Sequence, residues 1–293
     1  MSDDEDKRAD DSAAKGAGKG AGERAGEGAG QGEAITPDVI VVPMRRDNYA
    51  YVVADESGRA CFIDPCEADV AERVLVERGL TLVAVLSTHY HSDHTGANLA
   101  LASAHSGLRV LGSAVDADRI PALTEALRPG DSFSIGSLSG YVLDVSCHTR
   151  GHIAFVFGRA LFTGDALFAG GCGRFFEGTG EDAYRALYQS LGRLPDDMLV
   201  YFGHEYTLRN LEFAAAIDPS NAAVHAKLRV VRSLVEERRP TVPTTLGEER
   251  AYNPFLRAHV ETVARGVRAR IPATDLHSPA SVLAGLRRLK DSF

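Results

Sequence analysis

The segment Ser87-Thr-His-Tyr-His-Ser-Asp-His-Thr-Gly96 constrains this chain more than any other. It sets His89, His91, Asp93 and His94 within six residues, directly after the apolar run Leu82 to Leu86. Such a run, closed by polar residues, reads as a buried strand. Four ligand-type side chains seldom meet this closely by chance, and a plain polar surface loop is a poor match for so much imidazole. On a helix their offsets would scatter them around the barrel, and on a strand His94 would point away from the other three. The segment is therefore expected to be a loop wrapping metal. Because its side chains diverge, two ions are implied.

Three further residues sit in equivalent places. His148 follows the run Tyr141 to Val145, Asp165 follows Ala160 to Phe162 through Thr163-Gly164, and His204 follows Leu199 to Phe202 through Gly203. Taken singly, His148 is as readily a core residue as a ligand, and Asp165 suits an ordinary turn. Their shared position just past a strand end favours convergence, since functional residues gather on the loops beyond one edge of a sheet flanked by helices.

Other short apolar runs, Val39 to Val42, Tyr49 to Val53, Ala60 to Ile63 and Ala154 to Phe157, also read as strands. Helix candidates lie between them at Val70 to Arg78, Gly96 to His105 and Asp182 to Gly192, so an α/β fold with a sheet core flanked by helices is expected. Beyond His204 the pattern turns helical, at Leu208 to Ile217, Asn221 to Arg238, Glu248 to Ala251 and Ser281 to Leu289, which predicts a small helical C-terminal domain. From Met1 to about Gly32 the chain alternates Ala and Gly with scattered charge and offers little to bury, so a disordered, solvating tail is expected there. The expected division is a tail over 1–35, a catalytic domain over 36–206 and a helical domain over 207–293.

Nine acids against five bases up to Glu33 give the tail about half of the chain's net charge of −8. With no basic stripe to offset that charge, attraction to nucleic acid or an anionic membrane surface is not supported. No stretch approaches the roughly 18 consecutive apolar residues of a membrane-spanning helix, and the acidic start Met1-Ser-Asp-Asp-Glu-Asp suits neither a secretory signal nor a transit peptide. Cys61, Cys66, Cys147 and Cys172 lack zinc-ribbon spacing and are too few for a disulfide scaffold, so they are expected to be reduced packing residues of a cytoplasmic protein.

Thr88 to His94 resembles the Thr-His-x-His-x-Asp-His motif of the metallo-β-lactamase superfamily. Within it, the order and spacing of Asp47-Asn48-Tyr49, Ile63-Asp-Pro65, Cys147-His-Thr-Arg-Gly-His152, Phe162-Thr-Gly-Asp-Ala-Leu-Phe168, Gly171-Cys-Gly-Arg-Phe-Phe-Glu-Gly178, Gly203-His-Glu-Tyr-Thr207 and Tyr252-Asn-Pro-Phe255 are similar to the glyoxalase II (hydroxyacylglutathione hydrolase) family. The similarity runs from about Ile40 to Phe293. It implies an αββα sandwich followed by a helical glutathione-binding region. It also implies two divalent ions, with zinc expected and iron or manganese equally suited to the ligands. His89, His91 and His148 would hold one ion, Asp93, His94 and His204 the other, and Asp165 would bridge them.

The same resemblance implies hydrolysis of an S-(2-hydroxyacyl)glutathione such as S-D-lactoylglutathione by a bridging hydroxide, the second step of methylglyoxal detoxification by the glyoxalase pathway. Such ions, roughly 3.5–4 Å apart, bring the pKa of a bound water toward about 7. Asp93 is the candidate to receive the hydroxide's proton, although a role as ligand alone fits equally well. Asp64 and His152 are either orienting partners of the ligands or ordinary turn and surface residues. Arg174, Tyr206, Arg287 and Lys290 match positions that contact glutathione, and Phe176 stands where a tyrosine is common in animal forms, which removes a hydroxyl. The expected partner is a small-molecule glutathione thioester, bound by a monomer. The alternative within the superfamily is a glutathione persulfide dioxygenase holding one iron. Against it stand Asp93, His94 and His204 together and the helical C-terminal region.

Overall fold

The computed structural model describes residues 36–293, so the expected disordered tail lies outside the described residues. The first sheet begins with three antiparallel strands, β1 (Val39–Met44), β2 (Asn48–Ala54) and β3 (Arg59–Ile63). Helix α1 (Ala68–Arg78) then carries the chain to β4 (Thr81–Ser87), parallel to β3. Two short helices, α2 (Ser92–Thr95) and α3 (Asn98–Ala104), precede β5 (Arg109–Ser113) and β6 (Glu125–Leu127), which complete the sheet in the order β1-β2-β3-β4-β5-β6. The second sheet contains β7 (Ser132–Ile135), β8 (Leu138–Asp144), β9 (Ile153–Phe157), β10 (Ala160–Gly164) and β11 (Leu199–Phe202), with β12 (Thr244–Thr245) on its far edge beside β11. Between β10 and β11, α4 (Gly180–Tyr184) continues through a π-helical turn at Arg185–Ser190. Helices α5 (Thr207–Ile217), α6 (Ala222–Glu236), α7 (Leu246–Tyr252), α8 (Glu261–Arg268) and α9 (Pro279–Asp291) make up most of the remainder.

Strand alternation explains the layering. Tyr49, Tyr51 and Val53 of β2 face a core shared with Phe155, Phe157 and Phe162 of the second sheet, whereas Ala50 and Val52 face Ala71 and Leu75 of α1 and Leu101 of α3. Val83 interrupts the β3–β4 register, since Ala60 pairs with Leu82 and Cys61 with Ala84. That extra residue turns Ala84 and Leu86 toward the inter-sheet core and leaves Val85 on the helix side. The arrangement is the metallo-β-lactamase αββα sandwich. Val263, Val267, Val282 and Leu286 of α8 and α9 belong to the same continuous apolar cluster as the second sheet, at roughly 1.5–3 kcal/mol for each large side chain removed from water.

Several elements carry little sequence signal. Strand β7, Ser-Phe-Ser-Ile, is short and polar on alternate residues at a sheet edge, and β12 has only two residues. Helix α8 contains Gly266, a residue that weakens a helical reading, yet a Cβ there would overlap the carbonyl oxygen of Ile217 in α5. All four cysteines are free and buried. No helix among the described residues is long and apolar enough to cross a membrane.

The helical region is fastened to the sheets by a buried polar knot. Glu249 of α7 accepts hydrogen bonds from the Gly170 amide (2.8 Å), Asn253 Nδ2 (2.9 Å) and the Tyr252 hydroxyl (2.5 Å). Asn253 also donates to the carbonyls of Phe168 (3.1 Å) and Gly171 (3.0 Å), which pins the turn that follows Asp165. Burial pushes the Glu249 carboxyl up to about 7. Because the folded state holds this proton more tightly than the unfolded chain, the stabilisation is complete below the ordinary glutamate range and fades as pH rises toward 7. Between pH 5 and pH 7.5, denaturant unfolding is expected to show the parent protein losing about 2 kcal/mol of stability through this group, a pH-dependent loss that Glu249→Gln lacks. Identical pH slopes would refute it.

Candidate metal centre

Four strand ends, those of β4, β8, β10 and β11, deliver the candidate ligands to one edge of the sandwich. Asp64 closes β3 and accepts from the Thr88 amide and the Thr88 hydroxyl, both at 2.7 Å, fixing the exit of β4. Thr88 and His89 form a bend after β4, and His91 caps α2, so Asp93 and His94 stand on a helical turn rather than the expected loop. The change of backbone within the segment lets Asp93 and His94 face a different point from His89 and His91. The loops after β8, β10 and β11 supply His148, Asp165 and His204.

His91 Nδ1 lies 3.0 Å from His89 Nε2 and 3.1 Å from His148 Nε2. In a second group, His204 Nε2 lies 3.3 Å from His94 Nε2 and 3.4 Å from Asp93 Oδ2. Asp165 sits between them: Oδ1 is 3.4 Å from His94 Nε2, while Oδ2 is 3.5 Å from His148 Nε2 and 3.4 Å from His204 Nε2. Within each of the sets His89, His91, His148 and Asp93, His94, His204, the donor atoms all lie within 4.8 Å of one another.

This donor set fits divalent cations. Imidazole nitrogens face one another at separations where their lone pairs need a shared cation, and buried Asp165 Oδ1 has no hydrogen-bond partner among the described residues. The outward nitrogens are held: His94 Nδ1 by Asp64 (3.1 Å), His204 Nδ1 by Asp47 (3.1 Å), His148 Nδ1 by the Arg174 carbonyl (2.9 Å) and His89 Nδ1 by the Thr88 hydroxyl (3.1 Å). His152 accepts from the Asp165 amide (3.1 Å) and stacks on His89 at 4.6 Å. Asp64 and His152 therefore both touch the candidate ligands. Asp47 and Asn48, which donates to the Asp93 carbonyl at 3.0 Å, were singled out only as part of a motif. Gly203 leaves no room for a side chain, since a Cβ there would overlap Asp165 Oδ1 and crowd His94.

Burial pushes His89 and His152 well below the usual histidine range and so keeps them neutral. Burial opposes ionisation of Asp165 as well, but His94 and His204 outweigh it and hold the carboxyl well below its usual range. His204 is driven up to about 11 because Asp165 and Asp93 overcome the cost of burying its charge. Negative carboxylates among imidazoles make a site ready for positive charge.

A cavity of about 540 Å³ opens onto this cluster, and Arg174, Phe176, Tyr206, Arg287 and Lys290 all line it. Tyr206 stacks on His204 with ring centroids 4.8 Å apart. Arg174 and Arg287 share Asp291 Oδ1 at 3.2 and 3.0 Å. Arg209 of α5, which sequence reasoning passed over as one of many helix cations, also lines the cavity, and its carbonyl accepts from Lys290 Nζ at 3.0 Å. Partial burial beside Arg287 and Arg209 pushes Lys290 down to about 8.

Residues 45–204 match the family model for the metallo-β-lactamase superfamily, and residues 205–293 match that for the hydroxyacylglutathione hydrolase C-terminus. A hydroxyacylglutathione hydrolase of Synechococcus sp. (strain JA-2-3B'a(2-13)) is 43% identical over 87% of this chain and 99% of its own length. One from Alkalilimnicola ehrlichii is 44% identical over 87% of this chain and 98% of its own. The chain belongs to the hydroxyacylglutathione hydrolase family. Among solved structures, ETHE1 from Myxococcus xanthus is 28% identical with a TM-score of 0.56, covering 84% of this chain and 94% of its own. A protein solved in a di-iron-bound form is 25% identical with a TM-score of 0.52, covering 75% of this chain and 100% of its own. The superfamily match and the converging donors make the cluster of this family member a divalent metal centre. Gly203→Ala is expected to lower the divalent metal retained per chain, measured by elemental analysis, while far-ultraviolet circular dichroism stays unchanged; full metal content would show that the centre tolerates the added carbon.

Proposed function

We propose that this protein hydrolyses the thioester of S-(2-hydroxyacyl)glutathiones, releasing glutathione and a 2-hydroxy acid, at a centre of two divalent cations. His89, His91 and His148 would hold one cation and Asp93, His94 and His204 the other, with Asp165 lying between the two sets. Zinc is the proposed metal. The observation that carries this reading is a double cluster of donors, with Asp165 between its halves, at the floor of a cation-lined cavity. Relatives named for this hydrolysis, matched over 98–99% of their own lengths, support it.

When bound, the cations supply a water activated near neutral pH and positive charge for the oxyanion that develops on the thioester carbonyl. The residues do the rest. Asp93 Oδ2 faces His94 (3.7 Å) and His204 (3.4 Å), and Oδ1, without a hydrogen-bond partner among the described residues, is the proposed acceptor of the proton released by the attacking water. Arg174, Arg287 and Lys290 present positive charge to the glutathione carboxylates, the guanidinium forks suiting bidentate contact. Tyr206 lines the same cavity, and Phe176 offers an apolar wall. Asp291 already pairs with both arginines, so a substrate carboxylate enters a region whose cations are held in place before binding.

Metal per chain and hydrolysis of S-D-lactoylglutathione, measured on one preparation, test the reading. About two divalent ions per chain, and a fall on the order of 100-fold or more in turnover for His94→Ala, are the expected results. One iron per chain, no hydrolysis and oxygen uptake with glutathione persulfide would replace it with the dioxygenase. Because Lys290 loses its charge as pH rises through about 8, KM is expected to climb above that pH while kcat holds, and Lys290→Arg is expected to flatten the rise. A KM profile identical in the two proteins would remove Lys290 from substrate binding.

A further inference from the structure

Among the imidazoles facing the centre, His91 is held differently from its neighbours. His89, His94, His148 and His204 each have the outward ring nitrogen bonded to a hydroxyl, carboxylate or carbonyl. His91 turns Nδ1 inward, and its outward Nε2 has no hydrogen-bond partner among the described residues. A ligand ring without an outer bond needs another means of orientation. Its ring instead meets two aromatic faces nearly edge-on, Tyr90 at 4.8 Å and 76° and Phe176 at 5.9 Å and 79°.

Tyr90 is itself gripped. Its hydroxyl donates to Glu177 Oε1 at 2.7 Å, and the Arg119 guanidinium lies 3.2 Å from its ring centroid. Arg119 Nη1 donates to the same Glu177 oxygen at 3.0 Å and lies 3.6 Å from buried Asp116. Glu177 Oε2 accepts from the Arg150 amide at 2.9 Å, two residues beyond His148, and Glu177 directly follows Phe176. One carboxylate thus ties together the segment carrying His89 and His91, the loop carrying His148 and the strip carrying Phe176, while Arg119 clamps Tyr90 against that junction.

We infer that Arg119 and Glu177 are positioning residues that set the His91 ring through Tyr90, standing in for the missing outer hydrogen bond. This rests on the two-cation reading above. Neither side chain reaches the centre; both act through Tyr90 and the Arg150 amide. Loosening the clamp therefore weakens the set containing His91 and His148 and leaves the set of Asp93, His94 and His204 intact.

Stepwise zinc affinity, measured by competition with a chromophoric chelator on the full chain, separates the two sets, and His91→Ala marks which step belongs to which. Arg119→Ala, Glu177→Gln and Tyr90→Phe are each expected to weaken the step marked by His91→Ala by about 10–100-fold, leaving the other unchanged. Arg119→Lys, which keeps a cation over the ring, is expected to recover most of the loss. Tyr90→Phe keeps the ring and its packing and so guards against a variant that fails to fold. Unchanged affinity at both steps in all three variants overturns the inference. So does equal weakening of both steps together with a lower melting temperature of the metal-free protein, which is the mark of a general scaffold role. A parent protein that binds fewer than two zinc ions instead overturns the two-cation reading, and the clamp's assignment with it.

Discussion

Asp165 sets the terms for the rest of this structure. Its carboxylate is buried, one oxygen has no hydrogen-bond partner among the described residues, and three imidazoles approach within 3.4–3.5 Å. A buried charge in that state is costly unless positive charge meets it. The fold must therefore bring histidines from separate strand ends to one point and must leave space beside the carboxylate. Glycine at 203 provides that space, and the Asp165 amide is tied to His152, which is itself stacked on His89.

Orientation comes from partners scattered through the first 205 residues. Asp64 at the end of β3, Asp47 between β1 and β2, and the Arg174 carbonyl each fix the outward face of one imidazole, so the cluster depends on loops far apart in sequence. His91 departs from that scheme and rests on aromatic contacts. The helical region acts on the same edge from the other side: Glu249 and Asn253 pin the 168–171 turn, and α9 supplies Arg287 and Lys290 to the cavity that the turn helps wall. The metal centre and the cation-lined cavity thus meet at a seam between the sheets and the helices.

Much of this was legible beforehand because the signals were local. Apolar runs such as Tyr49 to Val53 and Leu199 to Phe202 carry their own strand pattern, and the density of ligand types from His89 to His94 needs no partner to be noticed. Elements defined by what they pack against were not. Strand β12 exists because two residues meet the edge of β11, β7 is short and half polar, and α8 holds a glycine required by its contact with α5. The helical turn at Asp93 and His94 was missed because periodicity has no force over four residues.

The sequence alone determined which side chains can bind metal, which runs are buried and which family the motif order resembles, because each depends on composition and spacing along the chain. Only the tertiary structure decided how closely the donor atoms approach one another, that Arg209 and Asp291 border the cavity, and that Arg119 grips Tyr90. Those outcomes turn on distances of a few ångströms between residues tens to hundreds of positions apart, and such distances are set by how two sheets and a helical layer pack, not by any spacing within the chain.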